Sequence, residues 1–351
     1  MTEERFRNRI YWLTFFFSLL VVWVHASNWE LFLGQSPEGL RLGRLQQFCG
    51  EGLGQMAVPG FFMVSAYLFF RGFTWKKLPY KWKSRLFSVA VPYGVWNLLY
   101  YGAYVIASRL PLSKEFMDKG LIPLTLKEAL RAVLFYQYNP VFWYLFQLIL
   151  LIAAAPVVYA VLKRNGTALA AAALLLWAVL KGWRLGPLNT DALVYYCAGA
   201  WTAIHREGGG RFAESGRLRA WAAPCAVFGV CLGAVWLFDR PGGILFNSPL
   251  AAVLVRLVMA GLSWLAVSLL PLGTAPAWAK NSFFLYAIHF AWVRLFNKAG
   301  ALLFPGSLTA ALGLFLALPP VMAAVSYGIG RLLERIMPGI YRVLCGGRGG
   351  A

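Results

Sequence analysis

Long apolar segments recur along almost all of this 351-residue chain. Each is close to the roughly 20 residues that an α-helix needs to cross the hydrocarbon core of a bilayer. Hydrophobic residues make up 60% of the chain and charged residues 13%, whereas soluble domains average about 45–50% and about 25%. The sequence therefore predicts an all-α, polytopic integral membrane protein with about ten transmembrane helices. The predicted segments are about 10–29, 55–73, 86–108, 141–162, 167–183, 191–205, 220–238, 250–270, 280–297 and 307–333.

The basic residues predict how these helices are oriented. Cytoplasmic loops of membrane proteins collect Lys and Arg, and most of the 33 Lys and Arg residues fall on one side if the N-terminus is cytoplasmic. We therefore expect a multi-pass protein of the cell membrane with both termini in the cytoplasm, forming one membrane-embedded domain over 1–351. This bias accounts for most of the net charge of +20. It leaves anionic membrane lipids and an anionic substrate, and not nucleic acid, as the expected partners.

His25 lies inside the first apolar segment, where an ionisable side chain is costly and usually faces a protein interior or a hydrated cavity. At 3.6 residues per turn, it shares one helical face with Thr14, Ser18 and Asn28. A neutral imidazole, with an ordinary pKa of about 6.5, can accept a proton from a hydroxyl group. We predict that His25 is catalytic and that Ser18 and Asn28 lie on the acceptor side. The alternative is a histidine that only hydrogen-bonds a neighbouring helix.

Two further segments carry polar groups at helical spacing. In the ninth segment Ser282, Tyr286 and His289 are four and three residues apart and share a face. Arg256 lies within the eighth segment, near its outer end. We predict that Arg256, Tyr286 and His289 line the acceptor side. The alternatives are hydrogen bonds that only pack the bundle and a guanidinium that extends to the headgroups.

The predicted inner loop 71–85 contains six Lys or Arg residues and no acidic residue, with three aromatic residues between them. Such a segment can attract a phosphorylated molecule and stack on its base. The same composition is also typical of a cytoplasmic loop with an aromatic belt. The five cysteines are odd in number and show neither metal-binding nor redox spacing, so we predict that they are unpaired packing residues and hold no metal. We also expect no bound cofactor.

Five segments together resemble the membrane acyltransferase 3 family, the polytopic O-acyltransferases that modify bacterial cell-envelope glycans. They are YWLTFFFSLLVVWVHASN with His25, VPGFFMVSAYLFF around Ser65, KWKSRLFSVAVPYGVWN, FWYLFQLILL and SFFLYAIH. The resemblance implies O-acetylation-type chemistry, in which an acyl group, usually acetyl, moves from cytoplasmic acyl-CoA to a hydroxyl of a cell-surface glycan or lipid-linked sugar. It also implies that His25 is the essential first-span histidine.

The resemblance further implies that Lys81, Lys83 and Arg85 bind the phosphates of the donor, and that this is polysaccharide modification in the cell envelope. The chain departs from the family pattern at Thr14 and Val89, where an arginine is expected. Two other functions stay open on the sequence. One is a transporter or exporter of a sugar or acyl metabolite that uses the same polar face, and the other is a catalytically inactive membrane scaffold.

Overall fold

The computed structural model describes residues 2–110, 120–205, 248–270 and 272–348. Within these ranges the chain forms helices and no strand, which confirms the all-α prediction. The predicted seventh segment, 220–238, lies outside the described residues. The α-helices are α1 Glu3–His25, α2 Trp29–Leu33, α3 Pro37–Gln47, α4 Ala57–Phe70, α5 Leu78–Arg85, α6 Val91–Ala107, α7 Leu126–Phe135, α8 Trp143–Ala153, α9 Ala155–Leu162, α10 Asn165–Leu180, α11 Thr190–His205, α12 Pro249–Leu269, α13 Ala277–Lys280, α14 Ser282–Leu303, α15 Leu308–Ile336 and α16 Pro338–Leu344.

Several of these helices have the length and apolar composition of membrane spans. In the part of the chain that the structure describes there are four such stretches, and five if the bent pair α8 and α9 counts as one span. The four are Glu3–Leu33, Pro37–Phe70, Pro249–Ser268 and Leu308–Ile336. The apolar helices support the predicted membrane location. The count of ten helices and the cytoplasmic position of both termini stay predictions.

The first helix has different bounds from the predicted segment 10–29. It begins at Glu3 and ends at His25. Thr2 caps its start, because the Thr2 side chain accepts a hydrogen bond from the backbone N–H of Arg5. The backbone N–H groups of Asn28 and Trp29 donate to Oε1 of Gln46, at 2.9 and 3.1 Å, and not to carbonyls of α1. The predicted extension of the helix through Asn28 is therefore wrong, because a side chain of α3 takes these donors.

Prolines break the hydrogen-bond ladder of two long helices, and tryptophan indoles replace the lost donors. Pro156 has no N–H for the carbonyl of Ile152, four residues earlier, and α8 and α9 meet there at 63°. Nε1 of Trp82 donates to this carbonyl at 2.9 Å. In α15 the carbonyl four residues before Pro319 likewise accepts from Nε1 of Trp23, at 3.2 Å. These bonds satisfy buried carbonyls that would otherwise lack a partner.

The helices α4 and α11 pack closely, backbone against backbone. A Cβ atom at Gly199 would overlap the backbone of Met63, so glycine is what permits this distance. On its other side α4 packs against α1, which also contacts α14 and α15. The first helix is therefore central, and its polar face lies against α14.

Candidate active site

The polar faces predicted separately on α1 and α14 pack against each other. Oγ of Ser18 donates to the carbonyls of Thr14, at 2.8 Å, and Ser282, at 3.3 Å. Oγ of Ser282 lies 3.4 Å from Oγ1 of Thr14. Ser18 is 1% exposed, so the structure places it in the contact between the two helices. Thr14 and Ser282, one turn nearer the N-terminal end of α1, line a cavity.

Further along the same contact, His25 and His289 lie side by side. Their ring centroids are 5.3 Å apart, and the rings of His25 and Phe290 also form an edge-to-face pair. His25 is partly exposed, whereas His289 is fully buried. The structure thus brings together the two histidines that the sequence placed in the first and ninth segments.

The hydrogen bonds of His289 define its tautomer. Nδ1 lies 2.7 Å from the backbone carbonyl of Tyr286, and a carbonyl oxygen can only accept, so Nδ1 carries the proton. In the neutral ring Nε2 is then an acceptor, and this buried atom has no hydrogen-bond partner among the described residues. An unpaired buried acceptor is costly. Its position beside His25 gives it a candidate partner.

No carboxylate of the described chain hydrogen-bonds to His25. Glu30 and Glu51 each accept a hydrogen bond from a glutamine of their own segment. Asp191, in the first turn of α11, interacts electrostatically with Arg256 of α12. Arg256 therefore has a partner in the bundle, and it does not line either of the cavities described here. The structure does not bring it to the histidine pair.

Asn28 belongs to a buried polar clamp that joins the end of α1 to α3, α14 and α15. Its Nδ2 donates to Oδ1 of Asn297, at 3.2 Å, and to the carbonyl of Ala311, at 3.1 Å. Its Oδ1 accepts from Nε2 of Gln46 at 2.7 Å. Asn28 is 2% exposed. These hydrogen bonds hold the Asn28 side chain inside the bundle, three residues after His25.

A cavity of about 1260 Å³ lies between the halves of α1, α4, α8, α14 and α15 that face the predicted cytoplasmic side. At the end of the cavity nearest the histidine pair, the wall includes Phe61, Tyr144 and Tyr286. The ring of Tyr286 lies 6.0 Å from that of His289, between centroids. The cavity therefore ends one side chain below the histidine pair.

Charged side chains line the cavity, and cations are in excess. Six are basic and three are acidic: Arg5, Arg7, Arg85, Lys280, Arg331 and Arg348, with Glu3, Glu4 and Glu334. Two of the three acids are already paired, Glu3 with Arg71 at 2.7 Å and Glu334 with Arg331 at 2.8 Å. The cavity therefore favours an anionic ligand.

Of the three residues predicted to bind the donor, Arg85 lines the cavity. Nζ of Lys81 instead donates to the carbonyls of Phe69 and Arg71, and so caps the end of α4. Desolvation, followed by repulsion from Arg85 and a neighbouring lysine, lowers the pKa of Lys81. Lys83 is exposed and does not line the cavity.

Three residues of the cavity wall were not among the predicted site residues. The hydroxyls of Ser65 and Tyr144 lie 3.1 Å apart in the cavity wall. Both residues lie in segments on which the family resemblance rests, and this was the sequence signal that could have identified them. Arg348 stands in a glycine-rich C-terminal stretch that carries no motif, so only the fold reveals its position.

A second, smaller cavity of about 440 Å³ lies between α6 and α14. Apolar and aromatic side chains, among them Trp96 and Trp292, form most of its wall, with Arg294 and Lys298 toward one end. The hydroxyl of Tyr100 donates to the carbonyl of Ala287 across this helix pair, at 3.0 Å. This groove lies on the other side of α14 from α1.

Comparison with known proteins identifies the family. No curated protein and no solved structure matches the chain significantly. A family model described as an acyltransferase domain matches residues 8–329, nearly the whole chain. The match includes both histidines, the Ser65–Tyr144 pair and Arg85, and it ends before Arg348. The chain therefore belongs to the acyltransferase 3 family, and this membership together with its apolar helices makes it a membrane acyltransferase.

Proposed function

We propose that this protein is an O-acyltransferase of the cytoplasmic membrane. It transfers an acyl group, acetyl in the simplest case, from cytoplasmic acyl-CoA to a hydroxyl of a cell-surface glycan or lipid-linked sugar. One observation carries the proposal: a pair of histidines lies directly above a cation-lined cavity large enough for a phosphorylated donor.

The inner cavity is the proposed donor site. Its volume of about 1260 Å³ exceeds the roughly 300–1,000 Å³ of ordinary small-molecule pockets, as a large donor requires. The excess of basic side chains suits the phosphates of acyl-CoA. The thioester end of the donor points toward Tyr286. The distance along α14 from Ser282, which lines the cavity, to His289 is about 10 Å.

His25 is the proposed general base. It takes the proton of the acceptor hydroxyl while the hydroxyl oxygen forms the new ester bond to the acyl carbon. The carbon–sulfur bond of the thioester breaks, and the coenzyme leaves as the thiolate, which is protonated to the free thiol. His289 donates Nδ1–H to the carbonyl of Tyr286, and its Nε2 is left to hold the ring of His25 in position.

The acceptor reaches His25 from the outer side. His25 is the last residue of α1 and lies about 16 Å along the helix from Thr14, which lines the donor cavity. It keeps part of its surface exposed. Donor and acceptor therefore approach the same imidazole from opposite ends of the bundle.

A histidine substitution with a matched control tests the proposal. In membranes supplied with labelled acyl-CoA and envelope glycan, His25→Ala should lower acyl transfer by a factor of about 10²–10⁴, the usual contribution of a general base. His205→Ala is the control, because that ring contacts the carbonyl of Leu162, away from the cavity. Both variants should reach normal abundance in the membrane. Transfer by His25→Ala at the wild-type rate would refute the catalytic role.

The same preparation separates the enzyme from the two other functions. Acceptor-dependent release of free thiol, together with a gain of one acyl mass on the glycan, supports the acyltransferase. Uptake of labelled sugar by proteoliposomes that lack coenzyme A would indicate a transporter. Unchanged glycan acylation in a deletion strain, with partner proteins lost from the membrane, would indicate a scaffold.

A further inference from the structure

The chain after α15 folds back across the beginnings of α6 and α14. Nε1 of Trp96 donates to the carbonyl of Leu344, at 3.0 Å, and the hydroxyl of Tyr341 donates to Oδ1 of Asn281, at 3.0 Å. The exposed fractions of Tyr341, Leu344 and Cys345 are 7%, 4% and 3%. This C-terminal segment, 337–348, is therefore packed into the bundle.

Two glycines direct the end of the C-terminal segment. Gly346 and Gly347 have φ of 61° and 74°, in the left-handed region that favours glycine. A Cβ atom at Gly346 would lie 2.5 Å from the carbonyl oxygen of Ser88, just before α6. A larger residue would thus be both strained and obstructed, and glycine permits the turn that brings Arg348 under the cavity.

Arg348 and Arg85 line the same cavity. The guanidinium of Arg348 lies over the ring of Phe283, 4.5 Å from its centroid, and both arginines interact electrostatically with Tyr144. Neither arginine forms a salt bridge within the described ranges. Desolvation and then repulsion by Arg85 lower the pKa of Arg348 to about 10, so it is still charged at neutral pH.

Two like charges that line one cavity and have no salt bridge to a carboxylate repel each other, and a bound anion relieves that repulsion. We propose that Arg348, delivered by the C-terminal segment, acts with Arg85 as the binding site for a phosphate group of the substrate. Hydroxyls of Tyr144 and Ser65 lie within the same cavity wall and can donate to the remaining oxygens. This inference rests on the proposed donor role of the cavity, and it adds a binding residue from outside the matched domain.

Equilibrium binding to purified full-length protein in nanodiscs of zwitterionic lipid tests this site without the reaction. The probes are coenzyme A, pantetheine, which has the same thiol arm and no phosphate, and inorganic pyrophosphate. Arg348→Gln should weaken the binding of coenzyme A and of pyrophosphate by about tenfold or more, as expected for a lost charge-assisted contact. The affinity for pantetheine should stay unchanged. Arg348→Lys should restore part of the affinity because it keeps the charge.

Arg342→Gln is the matched control, because it removes the same charge from an exposed position of the C-terminal segment that does not line the cavity. Gly346→Val should displace the C-terminal segment while Arg348 stays in the chain. It should therefore lose as much affinity for coenzyme A as Arg348→Gln does. Equal coenzyme A affinity in wild type and Arg348→Gln would overturn the proposal. So would an equal loss in Arg342→Gln.

Two results separate this inference from the proposed function. Arg348-dependent binding of pyrophosphate, with no binding of coenzyme A, would support the phosphate site and reject acyl-CoA as its ligand. In a second set of nanodiscs that contain anionic lipid, Arg348-dependent displacement of a bound probe by the lipid, and not by pyrophosphate, would identify the occupant as a lipid headgroup. The substrate site proposed here would then be wrong.

Discussion

Replacing Asn28 by alanine distinguishes a structural role of this residue from an acceptor-binding role. The side chain makes three hydrogen bonds, to Gln46, Asn297 and the carbonyl of Ala311. At about 0.5–1.5 kcal/mol each, their loss should lower the free energy of unfolding by about 3 kcal/mol. The three former partners stay buried with no replacement hydrogen bond, so the loss in the free energy of unfolding should equal or exceed that sum.

The neighbouring residue provides the control. Oγ of Ser27 makes one hydrogen bond, to Oε1 of Gln46 at 3.1 Å, at an exposed position. Ser27→Ala should therefore cost about 1 kcal/mol or less. Unfolding in mixed micelles titrated with a denaturing detergent should separate the two variants by about 2 kcal/mol, or more than tenfold in the unfolding constant.

The kinetics should follow the structural role. Asn28 holds the chain three residues after His25, so Asn28→Ala should lower kcat by disordering the end of α1, with little change in the KM for the acceptor. A variant with unchanged stability and a raised acceptor KM would refute the clamp and restore the acceptor-side role. Equal destabilisation of Ser27→Ala and Asn28→Ala would also contradict the reasoning.

Three further predictions concern stability, each measured by the same detergent titration. Gly199→Ala should destabilise by about 1–3 kcal/mol, because its methyl group overlaps the backbone of α4, whereas Gly261→Ala, with open space at its Cβ, should not. Trp82→Phe should cost about 1 kcal/mol by leaving the carbonyl of Ile152 without its indole donor; an unchanged midpoint would reject the assigned role. Desolvation lowers the pKa of Lys81 in the folded state, so the folded protein binds fewer protons. The stability of wild type relative to Lys81→Met should therefore rise as the pH increases toward 10.5, and a fall would contradict it.

Local patterns placed several residues of the candidate site on common helical faces. The 3.6-residue period placed Thr14, Ser18 and His25 on one face of the first helix and Tyr286 and His289 on one face of α14. These assignments depend on neighbours within a few turns, and the helices exist as predicted. The same reasoning failed for Asn28, because a side chain of α3 captures the backbone donors that would have continued α1.

The composition of the chain and the lengths of its apolar segments determined that it is a helical membrane protein. In lipid, a separate span satisfies all its backbone hydrogen bonds internally by forming a helix. Tertiary structure decided which polar faces meet. Ser18 and Ser282 are 264 positions apart, and no local period encodes that contact. The arrival of Arg348 beside Arg85 likewise depends on how α16 packs under α6 and α14, a matter of shape complementarity between distant segments and not of the sequence around either arginine.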